Sequence, residues 1–346
     1  MDNSSQNIRQ ASLQDITNFL VSNGEKAFRA KQIWQWIWQR GVTDFEEMTN
    51  LSRTTRELLR QNWYFDCLEP VHIQTATDGT TKTAWKLYDG EIIESVLIPG
   101  NQKFTVCVSS QVGCKLGCKF CATGTLGFKR NLTYGEIFNQ VTAAKMAAEA
   151  QGFPLSNIVF MGMGEPMLNY DNILAAIERI TAEDGLAMSP YRITVSTAGI
   201  PDKIRQLADD GVRFNLAVSL HAAKESVRTS LMPINKAYSL KEVADSLKYF
   251  VEKTGTRPTF EYLLLKDIND SLEDAKALAL YCRQFPIKIN LIEYNNVEGS
   301  GFQHSPDKKR DEFVKYLENC NMVVNIRRSK GKDIDAACGQ LAAKEV

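Results

Sequence analysis

The sequence carries no net charge: 41 lysines and arginines are balanced by 41 aspartates and glutamates. That balance excludes a protein that holds a polyanion through a bulk positive field. Any RNA contact must come from a local basic surface, and the best candidate is Arg327, Arg328, Lys330 and Lys332. Such a run reads equally well as a solvated loop. No apolar run approaches the ~20 residues of a membrane span, so no membrane partner is expected. The start, Met1-Asp2-Asn3-Ser4-Ser5-Gln6-Asn7, is polar and lacks the apolar stretch of an export signal. Eight cysteines without such a signal point to the reducing cytoplasm rather than to a disulfide framework. Low-complexity segments are also absent. With 346 residues, 44% of them hydrophobic, the chain has core enough for one large domain, or a large and a small one.

One further absence is the most informative. Cys114, Cys118 and Cys121 stand in the spacing C-x3-C-x2-C, and no fourth cysteine accompanies them. A structural zinc site wants four ligands, usually as two separated pairs. Three thiolates can instead hold three irons of a [4Fe–4S] cluster. The fourth iron is then open to an outside ligand. In radical S-adenosylmethionine (SAM) enzymes that ligand is the amino and carboxylate end of SAM, and an electron from the cluster cleaves SAM to a 5′-deoxyadenosyl radical. An aromatic residue before the third cysteine, here Phe120, is usual in that group. The competing reading, an RNA-binding module with a purely structural cluster, requires a fourth protein ligand.

From about residue 104 an apolar β-branched segment alternates with a helical one six times. Strands are expected at 104–109, 157–161, 192–196, 213–219, 259–264 and 288–292. Helices are expected at 134–150, 170–183, 201–210, 240–254, 272–285 and 307–319. Thr133 and Glu136 form a capping box, and Pro201 suits a first helical turn. Such alternation predicts parallel strands with right-handed crossovers. The fold class is therefore α/β, a partial, open TIM-like (βα)6 barrel with its chemistry at the C-terminal strand ends. The extended segment 323–328 could close one edge. Residues 1–70 read as a small helical accessory domain and RNA-binding candidate, with helices at 11–23, 30–40 and 54–62. In it Ile33, Trp34, Ile37 and Trp38 form a helical stripe better read as core than as a stacking surface. Lys31, Arg40, Arg53, Arg56 and Arg60 could line a phosphate-binding face, although nearby acids balance them. Residues 71–100 read as a β-rich connecting segment, 101–330 as the barrel, and 331–346 as a tail.

Polar residues recur at the strand ends. Met161-Gly162-Met163-Gly164-Glu165-Pro166 follows the second strand; its glycines let a ligand approach the backbone, and Glu165 could bind an ammonium group. A plain strand-end turn is the bland alternative. Ser196 ends the third strand, Ser219-Leu220-His221 the fourth, and Asn295 follows the sixth. Singly, each is a cap or a satisfied histidine; together they favour a common ligand. Cys107 and Cys338 read first as small buried hydrophobes, as do Cys67, Cys282 and Cys320.

Five stretches together resemble the RlmN/Cfr family of radical-SAM RNA adenine methyltransferases. They are Cys107-Val108-Ser109-Ser110-Gln111-Val112-Gly113-Cys114, Met161-Gly162-Met163-Gly164-Glu165-Pro166, Ser219-Leu220-His221, Met232-Pro233-Ile234-Asn235 and Asp333-Ile334-Asp335-Ala336-Ala337-Cys338-Gly339-Gln340. The likeness covers almost the whole chain. It implies a reaction with two SAM molecules. One methylates Cys338; the other becomes the radical that takes hydrogen from that S-methyl group, and the resulting carbon adds to the adenine ring. Glu94 then removes the ring proton. Cys107 attacks the sulfur of Cys338 and releases the product as a disulfide forms, so the two must meet within disulfide geometry. The same likeness implies that Gly164, Glu165, Ser196, Ser219, Leu220, His221 and Asn295 contact SAM. Pro166 after Glu165 is similar to the housekeeping branch, which modifies C2 of a 23S rRNA adenosine in the peptidyl-transferase region and, in some bacteria, the tRNA adenosine 3′ of the anticodon. The antibiotic-resistance branch modifies C8 and is the alternative. A reduced flavodoxin- or ferredoxin-type electron donor and a monomeric state complete what the resemblance implies.

Overall fold

A ten-stranded sheet forms the body of the molecule, a separate two-stranded hairpin brackets the cysteine motif, and a helical unit packs beside them. The computed structural model describes residues 6–342, so Met1–Ser5 of the polar start and residues 343–346 of the tail lie outside the described residues. In the helical unit β1 (Gln6–Asn7) pairs in parallel with β2 (Trp63–Tyr64), and between them lie α1 (Leu13–Ser22), α2 (Arg29–Trp38) and α3 (Arg53–Asn62). Ser12 and Asp15 form a reciprocal capping box at α1, and Ser52 caps α3. Ile33, Ile37 and Trp38 are buried, as a core stripe should be. Trp38 continues that core across the boundary of the unit, with its ring 5.0 Å from Phe138 and 5.9 Å from Tyr134.

Arg9 fastens the same boundary. It is fully buried, donates to the carbonyls of Ile37 and Val42 at 2.9 Å each, and lies 5.3–5.4 Å from the rings of Trp38, Phe65 and Phe138. Burial pulls its pKa down to about 10, which leaves it charged at neutral pH.

β3 (Glu69–Thr75), β4 (Thr81–Lys86) and β5 (Ile92–Pro99) form an antiparallel meander. β5 then pairs antiparallel with β6 (Phe104–Cys107), so 71–100 is an extension of the barrel sheet rather than a separate connector. A small hairpin follows, β7 (Gln111–Gly113) with β8 (Phe128–Asn131), which brackets the cysteine loop and has no counterpart in the sequence reading. Then come α4 (Tyr134–Ala150), β9 (Leu155–Phe160), α5 (Tyr170–Thr181), β10 (Ile193–Thr197), α6 (Pro201–Asp209) and β11 (Asn215–Ser219). The last run is α7 (Glu225–Leu231), α8 (Leu240–Thr254), β12 (Thr259–Leu264), α9 (Leu272–Cys282), β13 (Lys288–Glu293), α10 (Asp307–Asn319) and β14 (Val323–Arg327).

The strand order is β14-β13-β12-β11-β10-β9-β6-β5-β4-β3, parallel from β6 to β14. The partial barrel is thus as expected, with β14 as a further parallel strand at the edge. Its two ends are joined by the tail rather than by strand pairing. Lys330 Nζ donates to Pro99 O at 2.6 Å, Gly331 N–H to Asp78 at 3.0 Å, and Thr77 N–H to Asp333 at 2.9 Å. Among the described residues no helix is long and apolar enough to cross a membrane.

Arg9→Ala should remove both hydrogen bonds and leave two buried carbonyls unpaired. We expect a loss of about 3 kcal/mol or more, read as a lower urea midpoint. An unchanged midpoint would show that the boundary is held by apolar packing alone.

Candidate active site

The cysteine loop leaves β7 and returns through β8. Gly113 has φ of 72° where the loop begins, and the N–H of Cys114 donates to Gly127 O at 2.8 Å. Further on, Cys121 N–H donates to Cys118 O and Lys119 N–H to Leu231 O, which seats the loop on α7. Cys114, Cys118 and Cys121 all line one cavity of about 920 Å³, open mouth included, whose wall also holds Gly164 and Glu165. Burial first, then the neighbouring acidic and thiol groups, pushes Cys114 up to about 11 and Cys118 well above the ordinary thiol range. Bound cations would reverse that preference, since metals take the thiolate. Among the described residues no three His, Cys, Asp or Glu side chains converge on a single-ion site. A cubane asks instead for one thiolate per iron, and three thiols around one cavity fit that requirement.

The cavity wall then runs from strand end to strand end. Gly164 adopts φ of 98°, and a Cβ there would stand 2.5 Å from Cβ of Gln111. That close approach lets Gln111 Oε1 accept the N–H of Glu165 at 2.8 Å. The Glu165 carboxylate accepts from Met167 N–H at 3.1 Å and Ala198 N–H at 2.8 Å, and burial raises its pKa. It lies next to the cysteines, where an ammonium group would find a partner. Ser196 and Ser219 face each other with hydroxyls 3.5 Å apart. His221 sits at a positive φ of 56° and accepts Leu263 N–H on Nδ1 at 3.1 Å. Its ring meets Phe120 edge-on at 4.7 Å. Burial lowers its pKa to about 3, so the ring is neutral, with its proton on Nε2.

Two of the expected SAM contacts stand off this wall. Leu220 is fully buried, with its N–H on Glu261 O and its carbonyl taking Arg228 Nε. Asn295 is buried behind the wall; it donates to Ser329 at 2.9 Å, but its Oδ1 has no hydrogen-bond partner among the described residues.

A second cavity, about 1090 Å³ with its mouth, adjoins the first. Cys107 and Cys338 both line it, and both are free thiols. Cys121, Met161, Gly162, Ile292, Cys338 and Gly339 line both spaces. Cys338 is exposed and opens onto both of these cavities. Burial raises the Cys338 thiol and pushes Cys107 up to about 12, with Cys338 itself the next cause. Cys338 is held in place by its own tail. Ala122 N–H donates to Gly339 O at 2.7 Å, Thr123 Oγ1 to Leu341 O at 2.6 Å, and Gln340 Nε2 to Asn296 O at 2.9 Å.

Glu94, on β5, is buried but does not line either cavity. Its carboxylate lies 3.3 Å from Lys82 Nζ and accepts Ala342 N–H at 2.9 Å. The rim of the second cavity is basic: Arg327, Arg328 and Lys330 line it with Ser329. Of the basic face expected on the helical unit, Arg56 and Arg60 both pair with Glu46.

Two site residues escaped the sequence reading. Arg228 is fully buried and donates to Ala198 O and Asn235 Oδ1 at 2.6 Å each and to Leu220 O at 3.2 Å. It ties the ends of β10 and β11 to the Met232-Pro233-Ile234-Asn235 stretch. Glu261 projects from β12 into the first cavity. Nothing in the local sequence marks either residue, because each acts through partners distant in the chain.

Residues 6–64 match the ribosomal RNA large subunit methyltransferase N-terminal domain, and residues 108–279 match the radical SAM superfamily. The chain is 48% identical to the probable dual-specificity RNA methyltransferase RlmN of Flavobacterium johnsoniae, over 98% of this chain and 97% of that one. It is 45% identical to the dual-specificity RNA methyltransferase RlmN of Oleidesulfovibrio alaskensis, over 98% and 96%. The crystal structure of a radical SAM methyltransferase from Sphaerobacter thermophilus superposes with a TM-score of 0.94 at 38% identity, covering 98% of this chain and all of that one.

Replacing Cys114, Cys118 or Cys121 singly by alanine should abolish the iron–sulfur absorbance of the anaerobically reconstituted protein. Gly164→Ala should keep that absorbance and lose SAM affinity at least tenfold, because the added methyl displaces Gln111 and with it the Glu165 backbone. Normal SAM binding in Gly164→Ala would show that the close approach of Gly164 to Gln111 does not shape the SAM site.

Proposed function

Since the chain belongs to the RlmN family of radical-SAM RNA methyltransferases, we propose that it methylates C2 of an adenosine in the peptidyl-transferase region of 23S rRNA, and the adenosine 3′ of the anticodon in some tRNAs. The observation that carries this reading is the shared wall. The thiols of Cys107 and Cys338 line one cavity, and Cys338 also lines the neighbouring cavity of the cluster cysteines. Adenine C2 is electron-poor and bears no nucleophile, so it needs a carbon radical rather than ordinary methyl transfer. When bound, the cluster and SAM supply a 5′-deoxyadenosyl radical.

The protein's own residues do the rest. Cys338 carries the methyl group on its sulfur, at the junction of the two spaces. Once the ring adduct has given up an electron, which the oxidised cluster would accept, Cys107 attacks that sulfur; the Cys338 carbon–sulfur bond breaks as the disulfide closes, its electron pair stays with the departing carbon, and a proton taken up there completes the methyl group. Burial pushes the Cys107 thiol up to about 12, so at rest it is protonated and a poor nucleophile. The family resemblance assigns the ring proton to Glu94; its carboxylate, beside Lys82 Nζ and Ala342 N–H, lines neither cavity and must turn toward the second one to reach the base. Ile98, Val159, Met161, Ile292 and Leu341 offer the target base apolar surface. Arg327, Arg328 and Lys330 at the rim are the local basic surface that a chain without net charge needs for phosphate. The base must leave any stack to enter, so flexible or single-stranded RNA is the expected form. Pro166 favours C2 over C8.

Nucleoside mass spectrometry after anaerobic turnover on naked 23S rRNA should find 2-methyladenosine; 8-methyladenosine would overturn the C2 assignment. Naked rRNA should react faster than assembled large subunits. Cys338→Ala should abolish methylation yet still cleave SAM. Cys107→Ala should accumulate RNA joined to Cys338 through a methylene carbon, seen as an adduct on the tail peptide. A Cys107→Ala enzyme that turns over cleanly would sink the two-cysteine scheme.

A further inference from the structure

We propose that Glu261 binds the cosubstrate, its free carboxylate oxygen accepting a hydrogen bond from a ribose hydroxyl of SAM. The inference rests on the radical-SAM reading of the first cavity and adds a residue to it.

Glu261 is 4% exposed and lines that cavity. One oxygen is committed: Oε1 accepts Asn290 Nδ2 at 2.8 Å and lies 3.4 Å from Arg327 NH1. These two donors fix the carboxylate and balance its charge. The other oxygen, Oε2, is buried and has no hydrogen-bond partner among the described residues. A buried acceptor left unpaired is costly, and a ligand donor in the cavity removes the cost.

Its place on the sheet says which end of SAM this is. β9, β10, β11 and β12 are successive neighbours, so Glu165, Ser196, Ser219 and Glu261 step across the wall in that order. Glu165 lies beside the cluster cysteines and suits the amino end. Glu261 stands three strands further on, roughly 14 Å at the spacing of hydrogen-bonded strands, where the nucleoside must lie. Ser219 and Glu261 are register partners on adjacent strands, which brings a hydroxyl and a carboxylate to one spot. Two vicinal hydroxyls match that pair. The sulfonium of SAM is a weaker match, because Arg327 already supplies a cation to this carboxylate.

The test measures binding rather than turnover, by equilibrium dialysis on the anaerobically reconstituted protein. The probes are SAM, S-adenosylhomocysteine and its 2′-deoxy and 3′-deoxy forms. Glu261→Leu should weaken SAM and S-adenosylhomocysteine by the same factor, roughly tenfold to hundredfold. One deoxy form should bind wild type more weakly by a similar factor and should lose that penalty in Glu261→Leu. Glu261→Gln, which keeps the size and a hydrogen bond from Arg327 but replaces the free oxygen with an N–H donor, should shrink the penalty; unchanged cluster absorbance in both variants reports an intact fold. A deoxy penalty equal in wild type and both variants overturns the proposal. So does a loss confined to SAM, which would assign the carboxylate to the sulfonium. Failure of the wild type to bind SAM would instead overturn the radical-SAM reading itself.

Discussion

The reactive geometry hangs on a backbone hydrogen bond, Ala122 N–H to Gly339 O at 2.7 Å. It joins the residue after the third cluster cysteine to the residue after Cys338. Position 339 must be glycine for this to happen: φ is 83°, and a Cβ would crowd Phe120 O at 3.2 Å. The neighbouring bond from Thr123 to Leu341 O makes the attachment two-pronged. On the proposed mechanism this sulfur must meet a radical formed in the next cavity, and it could not do so on a loose tail. Here its position is referred directly to the loop that holds the cluster.

Buried polar groups do most of the remaining positioning. Ser109 donates to Glu94 O at 2.6 Å and accepts Met163 N–H at 2.9 Å, so one hydroxyl joins β5 to the glycine-rich turn after β9. Gln140 on α4 takes the N–H of Ser109 and returns a bond to its carbonyl. Arg228 performs the same service for the ends of β10 and β11. Each of these groups is desolvated, and each recovers that cost through several short bonds. The Cys107–Gln111 stretch therefore supplies one thiol and also the scaffold beside it.

Local signals found the periodic parts of this fold. The helix at 134–150 has the bounds its capping box implies, because Thr133 and Glu136 reach only three residues. Helices without a marked stop ran long in the sequence reading, as at α9, which ends at Cys282 rather than 285. The hairpin of β7 and β8 and the short helix α7 escaped notice, since neither has enough residues to show a period. That Cys114, Cys118 and Cys121 would gather around one cavity was legible from their spacing alone. The Cys107–Cys338 pairing was not, and only resemblance joined them, because proximity across 231 residues leaves no local trace. Glu261 was hidden for a related reason: within a buried parallel strand, a single carboxylate gives no hint of which face it occupies.

The tail's closure of the sheet also bears on the order in which the protein matures. Its bonds to Thr77, Asp78, Pro99 and Thr123 span 256, 253, 231 and 218 residues. Contacts across such long loops carry the largest closure entropy and form only after the segments they join exist. Both ends of the sheet and the cysteine loop must therefore be in place before Cys338 can dock. On the proposed mechanism, a chain caught half-folded would hold the sulfur of Cys338 away from the site where a radical would arise.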